Sequence, residues 1–250
     1  MRLVSYNIHA GVGSDGRRDL DRIAALLAEL DADVVALQEV DSRLSRGGLD
    51  QAGLLARALG MHLIEGPLLR EHQGHYGNAI LSRWPLRLHG EGTFAAQGSE
   101  CRGWLAVDAL DPAGPAWRVL VTHLELRGKI RGRQLAELAA IVAAEPGPLA
   151  LAGDLNEWRF WRRDLDGLAQ ALDLLPPRAT FPSWIPCLAL DRLAVKGACI
   201  LRGPVVASGT AARLASDHLP LWADLGPLPA ADAGLRASSG IRPDPPSAGA

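Results

Sequence analysis

One stretch constrains this chain more than any other: Leu149-Ala150-Leu151-Ala152-Gly153-Asp154-Leu155-Asn156. An unbroken run of small and apolar residues suits a strand covered on both faces. Gly153 lets the backbone turn, or lets another group approach it closely. Asp154 and Asn156 are two apart, so in an extended chain they point the same way. Taken alone, an Asx turn capping the next helix explains them better than a site does. The decision lies with the other strand ends.

At 250 residues, with 48% hydrophobic and 22% charged residues, the chain can bury a sizeable core as one α/β domain. A net charge of −2 supplies no global field for nucleic acid, so any polyanion must be met locally. Almost all the basic residues are arginines, Lys129 and Lys196 being the lysines. Arg suits bidentate phosphate recognition, although base composition explains the bias equally well. Cys101, Cys187 and Cys199 are odd in number and form no CxxC pair. A disulfide framework is not expected, and a reducing cytoplasm is. No apolar run approaches the ~20 residues of a membrane span, and Met1-Arg2 leads directly into a strand without a leader. The expectation is a cytoplasmic monomer.

Strands are predicted at Arg2–Ile8 and Asp33–Leu37, the latter ending in Gln38-Glu39. Helices are predicted after Asp19, with Leu20, Ile23, Leu27 and Leu30 on one face, and over Asp50–Leu59, with Leu54, Leu55, Ala58 and Leu59 inward. Five strands then follow without helices between them, at Met61–Glu65, Asn78–Ser82, Leu86–Gly92, Trp104–Leu110 and Trp117–Leu124. A helix over Gly132–Ala144, the opening strand and a helix near Asp164–Leu172 come next. Short strands follow near Asp191–Val195, Ile200–Val205 and Leu221–Ala223. Residues 1–225 read as one domain and 226–250 as a disordered Pro/Ala/Gly/Ser tail. Early alternation with hairpins in the middle argues for mixed sheets packed together with helices outside.

Six segments finish or begin in polar residues that hydrolytic sites use: Asn7, Glu39, His123, Asp154 with Asn156, Asp191, and Ser216-Asp217-His218. Each alone has a mundane explanation: a solvated carboxylate, a core histidine, a turn before Pro220. Together they are hard to credit to turns, and α/β sheets place ligands at strand ends.

These pieces, with Ser5-Tyr6-Asn7-Ile8-His9, Leu37-Gln38-Glu39, Tyr76–Arg83 and Thr122-His123-Leu124, resemble the endonuclease/exonuclease/phosphatase superfamily in order and over roughly residues 1–225. The resemblance implies a four-layer α/β/β/α sandwich of two mixed β-sheets with helices outside. It implies that Glu39 is the main metal ligand, with Asn7 and Asp217 near it. Asp154 would activate the attacking water and Asn156 orient it. His218, held by Asp191, would contact the scissile phosphate, and His123 would stand on the leaving-group or phosphate side. Asn78 has a supporting role. Many nuclease members carry an acidic residue where this chain has His9, which puts the number of ions in question and leaves His9 as a substrate hydrogen bond or a ligand.

The residue chemistry agrees. Phosphodiester hydrolysis develops negative charge that a hard divalent cation can stabilise, and oxygen ligands favour Mg²⁺ or Mn²⁺. A histidine paired with a carboxylate tends to be protonated, which suits a phosphate. No GxSxG elbow supports an acyl-transfer triad on Ser216.

Two clusters bear on substrate. Arg127, Lys129, Arg131 and Arg133 lie at a helix start, where cations oppose the dipole unless a phosphate binds there; a solvated basic loop is the competing explanation. Trp158, Arg159, Phe160, Trp161, Arg162 and Arg163 interleave aromatics with charge, as a nucleobase platform or a lipid interface would, with core packing as the plainer alternative. Phe181–Pro186 adds a Pro-rich apolar loop. The expectation is a nuclease-like phosphodiesterase. A phospholipid or small-phosphoester hydrolase is the alternative, and a non-catalytic binding protein of the same fold the more distant one.

Overall fold

The computed structural model describes residues 1–98, 100–158 and 165–228. In chain order the elements are β1 (Arg2–Asn7), α1 (Leu20–Leu30), β2 (Val34–Asp41), α2 (Gln51–Leu59), β3 (His62–Arg70), β4 (His75–Ser82), β5 (Leu86–Thr93), β6 (Gly103–Ala109) and β7 (Trp117–His123). There follow α3 (Gly128–Ala144), β8 (Leu149–Asp154), α4 (Asp166–Ala171), β9 (Asp173–Leu174), β10 (Asp191–Lys196), β11 (Ala198–Val206), α5 (Thr210–Ala215) and β12 (Leu221–Pro227).

The strands form two six-stranded sheets, ordered β11-β12-β1-β2-β4-β3 and β5-β6-β7-β8-β10-β9. Each is mixed: β1 pairs parallel with β2 and β7 with β8, and the remaining pairs are antiparallel. The side-chain period of two explains the layering. Leu3, Val34, Ala36 and Ile80 of the first sheet meet Val119, Val121, Ala150 and Ala152 of the second in a central core. The alternate residues Val4, Tyr6, Val35 and Leu37 pack under α1 and α2 with Ile23, Leu27 and Leu55. On the other side Leu149 and Leu151 lie under α3 with Leu135, Leu138 and Val142. The result is an α/β/β/α sandwich. Truncating such a buried Leu to Ala costs about 2–5 kcal/mol.

Local chemistry sets the helix starts. Asp19 accepts from the Arg22 amide at 3.1 Å and Asp50 from the Gly53 amide at 2.9 Å, each satisfying a first-turn donor. Four expectations are corrected. Helix α3 begins at Gly128, not Gly132, because the basic run sits inside its first turns. Ala58 is exposed and Ala52 and Ala56 are buried instead, since the buried face is rotated toward the N-cap side. Strand β2 continues through Glu39 to Asp41. Strand β12 continues to Pro227, where it pairs with Ala198, so 226 and 227 belong to the sheet. Most of the proposed tail, 229–250, lies outside the described residues. Helix α5 and the short β9 carried no pattern strong enough to predict.

Candidate active site

Register brings the second sheet's polar residues into line. His123 of β7 pairs with Asp154 of β8, and Asp154 pairs with Asp191 of β10. Three side chains far apart in sequence thus reach one sheet level. Gly153 makes the approach of β7 possible, since a Cβ there would lie 2.1 Å from the Thr122 carbonyl oxygen.

The first sheet contributes Asn7 and Glu39. Strand β2 loses register with β4 between Leu37 and Val40, and Glu39 takes φ +59°. This bulge turns the carboxylate out of the ladder, at a cost of about 1–3 kcal/mol for a left-handed residue that is not Gly. Asn156 is also left-handed, at φ +51°, a conformation Asn tolerates well. The expected same-face pairing of Asp154 and Asn156 is therefore replaced by a turn in which the Asn156 amide donates to Asp154 Oδ1 at 2.9 Å. The Asx turn and the site are the same structure.

Asn7 joins the sheets. Its Nδ2 donates to Glu39 Oε1 at 2.9 Å and Asp154 Oδ2 at 3.2 Å, while its Oδ1 accepts from the His9 amide at 3.0 Å. Asn7 thus shows the carboxylates its nitrogen, bracing two like charges apart. Asp154 Oδ2 also lies 3.5 Å from His123 Nε2 and 3.6 Å from His218 Nε2. Burial, against the attraction of His218, raises the Asp154 pKa to about 6.

His218 Nδ1 lies 2.9 Å from Asp191 Oδ2, which also accepts from Thr180 Oγ1 at 2.5 Å. Burial alone would lower the His218 pKa, but Asp191 and Asp154 outweigh it and raise the value to about 10. The ring is an imidazolium at neutral pH. Phe181 covers it at a centroid distance of 4.9 Å. Ser216 Oγ donates to the Asn7 carbonyl at 2.8 Å, which ties the Ser216–His218 segment to β1. His123 behaves oppositely: burial, Arg102 and His218 hold its pKa well below the usual imidazole value. Arg102 Nη1 lies 2.8 Å from His123 Nδ1, and the other ring nitrogen, Nε2, lies 3.2 Å from Asn156 Nδ2.

A cavity of about 520 Å³ opens over this cluster, lined among others by Glu39, His123, Asp154, Asn156, Asp217 and His218. Trp158, half exposed, also lines it. His9 lies beside it, with Nδ1 3.7 Å from Asp217 Oδ1 and 3.2 Å from the Val12 carbonyl. Three expected substrate contacts are placed elsewhere. Arg131 is fully buried, with Nε and Nη2 at 3.1 and 3.0 Å from Glu157 Oε2, and faces no solvent. Arg127 is exposed at the α3 N-cap, next to Leu126 of the cavity wall but not itself part of that lining. Asn78 is buried between the sheets, 3.4 Å from the Gly103 carbonyl. Arg159, with the aromatic and basic residues 160–163, lies outside the described residues. Sequence reading missed Arg102 and Thr180, because a single Arg or Thr before a strand carries no signal until its partner is known.

Among the described residues, two groups of side chains could hold a cation. Asp154, Asp191 and His218 offer ligand atoms within 4.8 Å of one another. In this group His218 Nδ1 and Thr180 Oγ1 already engage Asp191 Oδ2 at 2.9 and 2.5 Å. Glu39 and Asp217 offer hard oxygens at the cavity wall, which suits Mg²⁺ or Mn²⁺.

A sandwich whose facing sheet edges carry these residues defines a phosphoester hydrolase. The chain belongs to the Endonuclease/Exonuclease/phosphatase family, whose sequence model matches residues 4–218. Uncharacterized protein YbhP of Escherichia coli (strain K12) is 32% identical over 242 residues, 90% of this chain and 95% of that one. The endonuclease/exonuclease/phosphatase from Beutenbergia cavernae DSM 12333 superposes with a TM-score of 0.68 at 24% identity, over 91% of this chain and 71% of that one. D. rerio TDP2 complexed with single strand DNA product superposes with a TM-score of 0.67 at 16% identity, over 90% and 98%. Members of this family generally use a divalent metal. Among the described residues, no helix is long and apolar enough to cross a membrane.

Proposed function

We propose that the chain is a divalent-metal-dependent phosphodiesterase, nuclease-like in chemistry, that cleaves by in-line attack of water. The observation that carries this reading is the convergence on one carboxylate oxygen: Asp154 Oδ2 lies 3.5 Å from His123 Nε2 and 3.6 Å from His218 Nε2, with His218 held by Asp191 at 2.9 Å. Burial raises the Asp154 pKa, which favours its role as the base toward the attacking water. Asn156 fixes one carboxylate oxygen and leaves Oδ2 toward the cavity cluster. His218, held by Asp191, presents Nε2–H as a cationic donor for a non-bridging phosphate oxygen. His123 stands on the same wall, its Nε2 beside Asp154 Oδ2 and Asn156 Nδ2. Glu39 and Asp217, with the Asn7 amide bracing Glu39, would hold Mg²⁺ or Mn²⁺, which when bound stabilises charge on the phosphate and leaving oxygens. The reading includes a monomeric, cytoplasmic setting and one domain extending to about residue 227.

The test is hydrolysis of bis(4-nitrophenyl) phosphate with and without Mg²⁺. Asp154→Ala and Glu39→Ala should each lose activity by at least about a hundredfold while keeping native circular dichroism. Full activity in either variant sinks the assignment.

A second reading, a lipid or small-phosphoester hydrolase, is favoured by the apolar cavity rim. Leu126 and Trp158 both line the cavity and are 61% and 52% exposed. A panel of plasmid DNA, abasic duplex, single strands, phospholipids and inositol phosphates separates the two.

A further inference from the structure

Residues 181–188, ahead of β10, form a closed turn with a bare apolar tip. At its base the Phe181 amide donates to the Leu188 carbonyl at 3.1 Å, and the Leu188 amide to the Phe181 carbonyl at 2.8 Å. That base belongs to the active-site wall, since both residues line the cavity and Phe181 covers His218. The tip is held as firmly. The Ser183 amide donates to the Asp217 carbonyl at 2.7 Å and Ser183 Oγ to the Arg213 carbonyl at 3.0 Å. Arg213 Nη1 in turn donates to the Trp184 carbonyl at 2.5 Å. This fixed backbone leaves Trp184 62% and Ile185 59% exposed, and neither joins a core cluster. Adjacent large apolar side chains held in water mark a contact surface.

The same cavity has Leu126 and Trp158 exposed on its rim. Arg131 Nη1 fixes the Leu126 carbonyl at 2.6 Å. Directly after Leu126 come Arg127, Lys129 and Arg133, all exposed, and none of the three side chains pairs with a carboxylate among the described residues. Lys129 and Arg133 are four apart on one face of α3, where like charges weaken a helix, and cations in a first turn oppose its dipole. The fold gains nothing from them.

The chemistry of this face selects its partner. Nucleic acid would stack on the tryptophans, but Leu126 and Ile185 offer no π-face, and a net charge of −2 supplies no attracting field. A second copy would bring its own unpaired cations to the contact. An anionic bilayer suits every component: Trp sits at the headgroup level, aliphatic side chains enter the acyl boundary, and Arg and Lys meet lipid phosphates.

We propose that this face binds the surface of a bilayer containing anionic phospholipid, with Trp184 and Ile185 inserted at the headgroup level and Arg127, Lys129 and Arg133 against lipid phosphates. The inference goes beyond the phosphodiesterase reading and stands without it, because binding needs no turnover.

The test is flotation of the full chain with unilamellar vesicles, of phosphatidylcholine alone or of phosphatidylcholine mixed with phosphatidylglycerol, without added metal. The wild type should float with the mixed vesicles and stay in solution with phosphatidylcholine alone. Trp184→Ser/Ile185→Ser should weaken binding to the mixed vesicles by about tenfold or more, and so should Arg127→Gln/Lys129→Gln/Arg133→Gln, by about the same factor. Both variants should keep native circular dichroism. No flotation of the wild type with the mixed vesicles, or flotation that either folded variant leaves unchanged, overturns the proposal. Equal binding to both kinds of vesicle removes the role of the cations and overturns it as stated. Anisotropy with a single-stranded oligonucleotide and sedimentation velocity judge the other occupants. Oligonucleotide binding or dimerisation that Trp184→Ser/Ile185→Ser abolishes, in a wild type that ignores vesicles, gives the face to that partner and excludes the bilayer. Vesicle binding and phosphodiester hydrolysis are scored separately, so either reading can fail alone.

Discussion

His218 Nδ1 and Asp191 Oδ2 lie 2.9 Å apart, both buried, although 27 residues separate them in the chain. The contact joins the loop before β12 to the start of β10. It fixes the orientation of the ring and, with Asp154, favours its protonated form.

That protonation can be read by NMR of the metal-free protein. The His218 ring should remain an imidazolium up to a pH of about 10, whereas His123 should stay neutral across the range in which an ordinary histidine, near 6.5, titrates. The folded pKa of His218 is raised, so its contribution to stability is full below about 6.5 and is lost as pH rises through about 10. Asp154 is raised to about 6 from 3.8, so protonation favours the fold and stability from this group falls as pH climbs between those values. A His218 ring that titrates near 6.5 contradicts the assignment.

Metal binding should separate the two candidate centres. Calorimetric titration of Mn²⁺ into Glu39→Gln should show about a tenfold or greater loss of affinity, while Asp191→Asn should retain most of it. The reverse pattern would place the cation among Asp154, Asp191 and His218 instead.

Arg131 should matter for folding, not for substrate. Arg131→Met removes the two contacts of the buried guanidinium to Glu157 Oε2, which should cost about 1–3 kcal/mol. Urea unfolding should show the loss, and the KM of the protein that remains folded should not move. A raised KM with unchanged stability would restore the arginine to the substrate path.

Gly153→Ala should destabilise the chain by about 1–3 kcal/mol, because the new methyl would meet the Thr122 carbonyl oxygen at 2.1 Å. A denaturation midpoint equal to the wild type would mean that β7 and β8 can part without cost.

Much of the site was legible in the sequence because short-range chemistry marks it. Polar residues at the ends of apolar runs, as at Asn7, His123, Asp154 and Asp191, stand out against their neighbours. Mixed sheets with helices outside followed from the early strand–helix alternation and the hairpins in the middle, and the four layers from the family resemblance. Arg131 was misread because an arginine in a basic run looks solvated until Glu157 is brought against it from beyond β8. Glu39 was read as a strand end because a bulge leaves no mark in composition.

The stretch Leu149–Asn156 shows the same division. Its sequence determined a buried strand, a close approach at Gly153 and an Asx turn after it, all consequences of side-chain size and local hydrogen bonding. Only the tertiary structure decided that Asp154 is held at a pKa of about 6. That value depends on burial between two sheets and on His218, Asp191 and Asn7, which long-range register and packing deliver and no local pattern encodes.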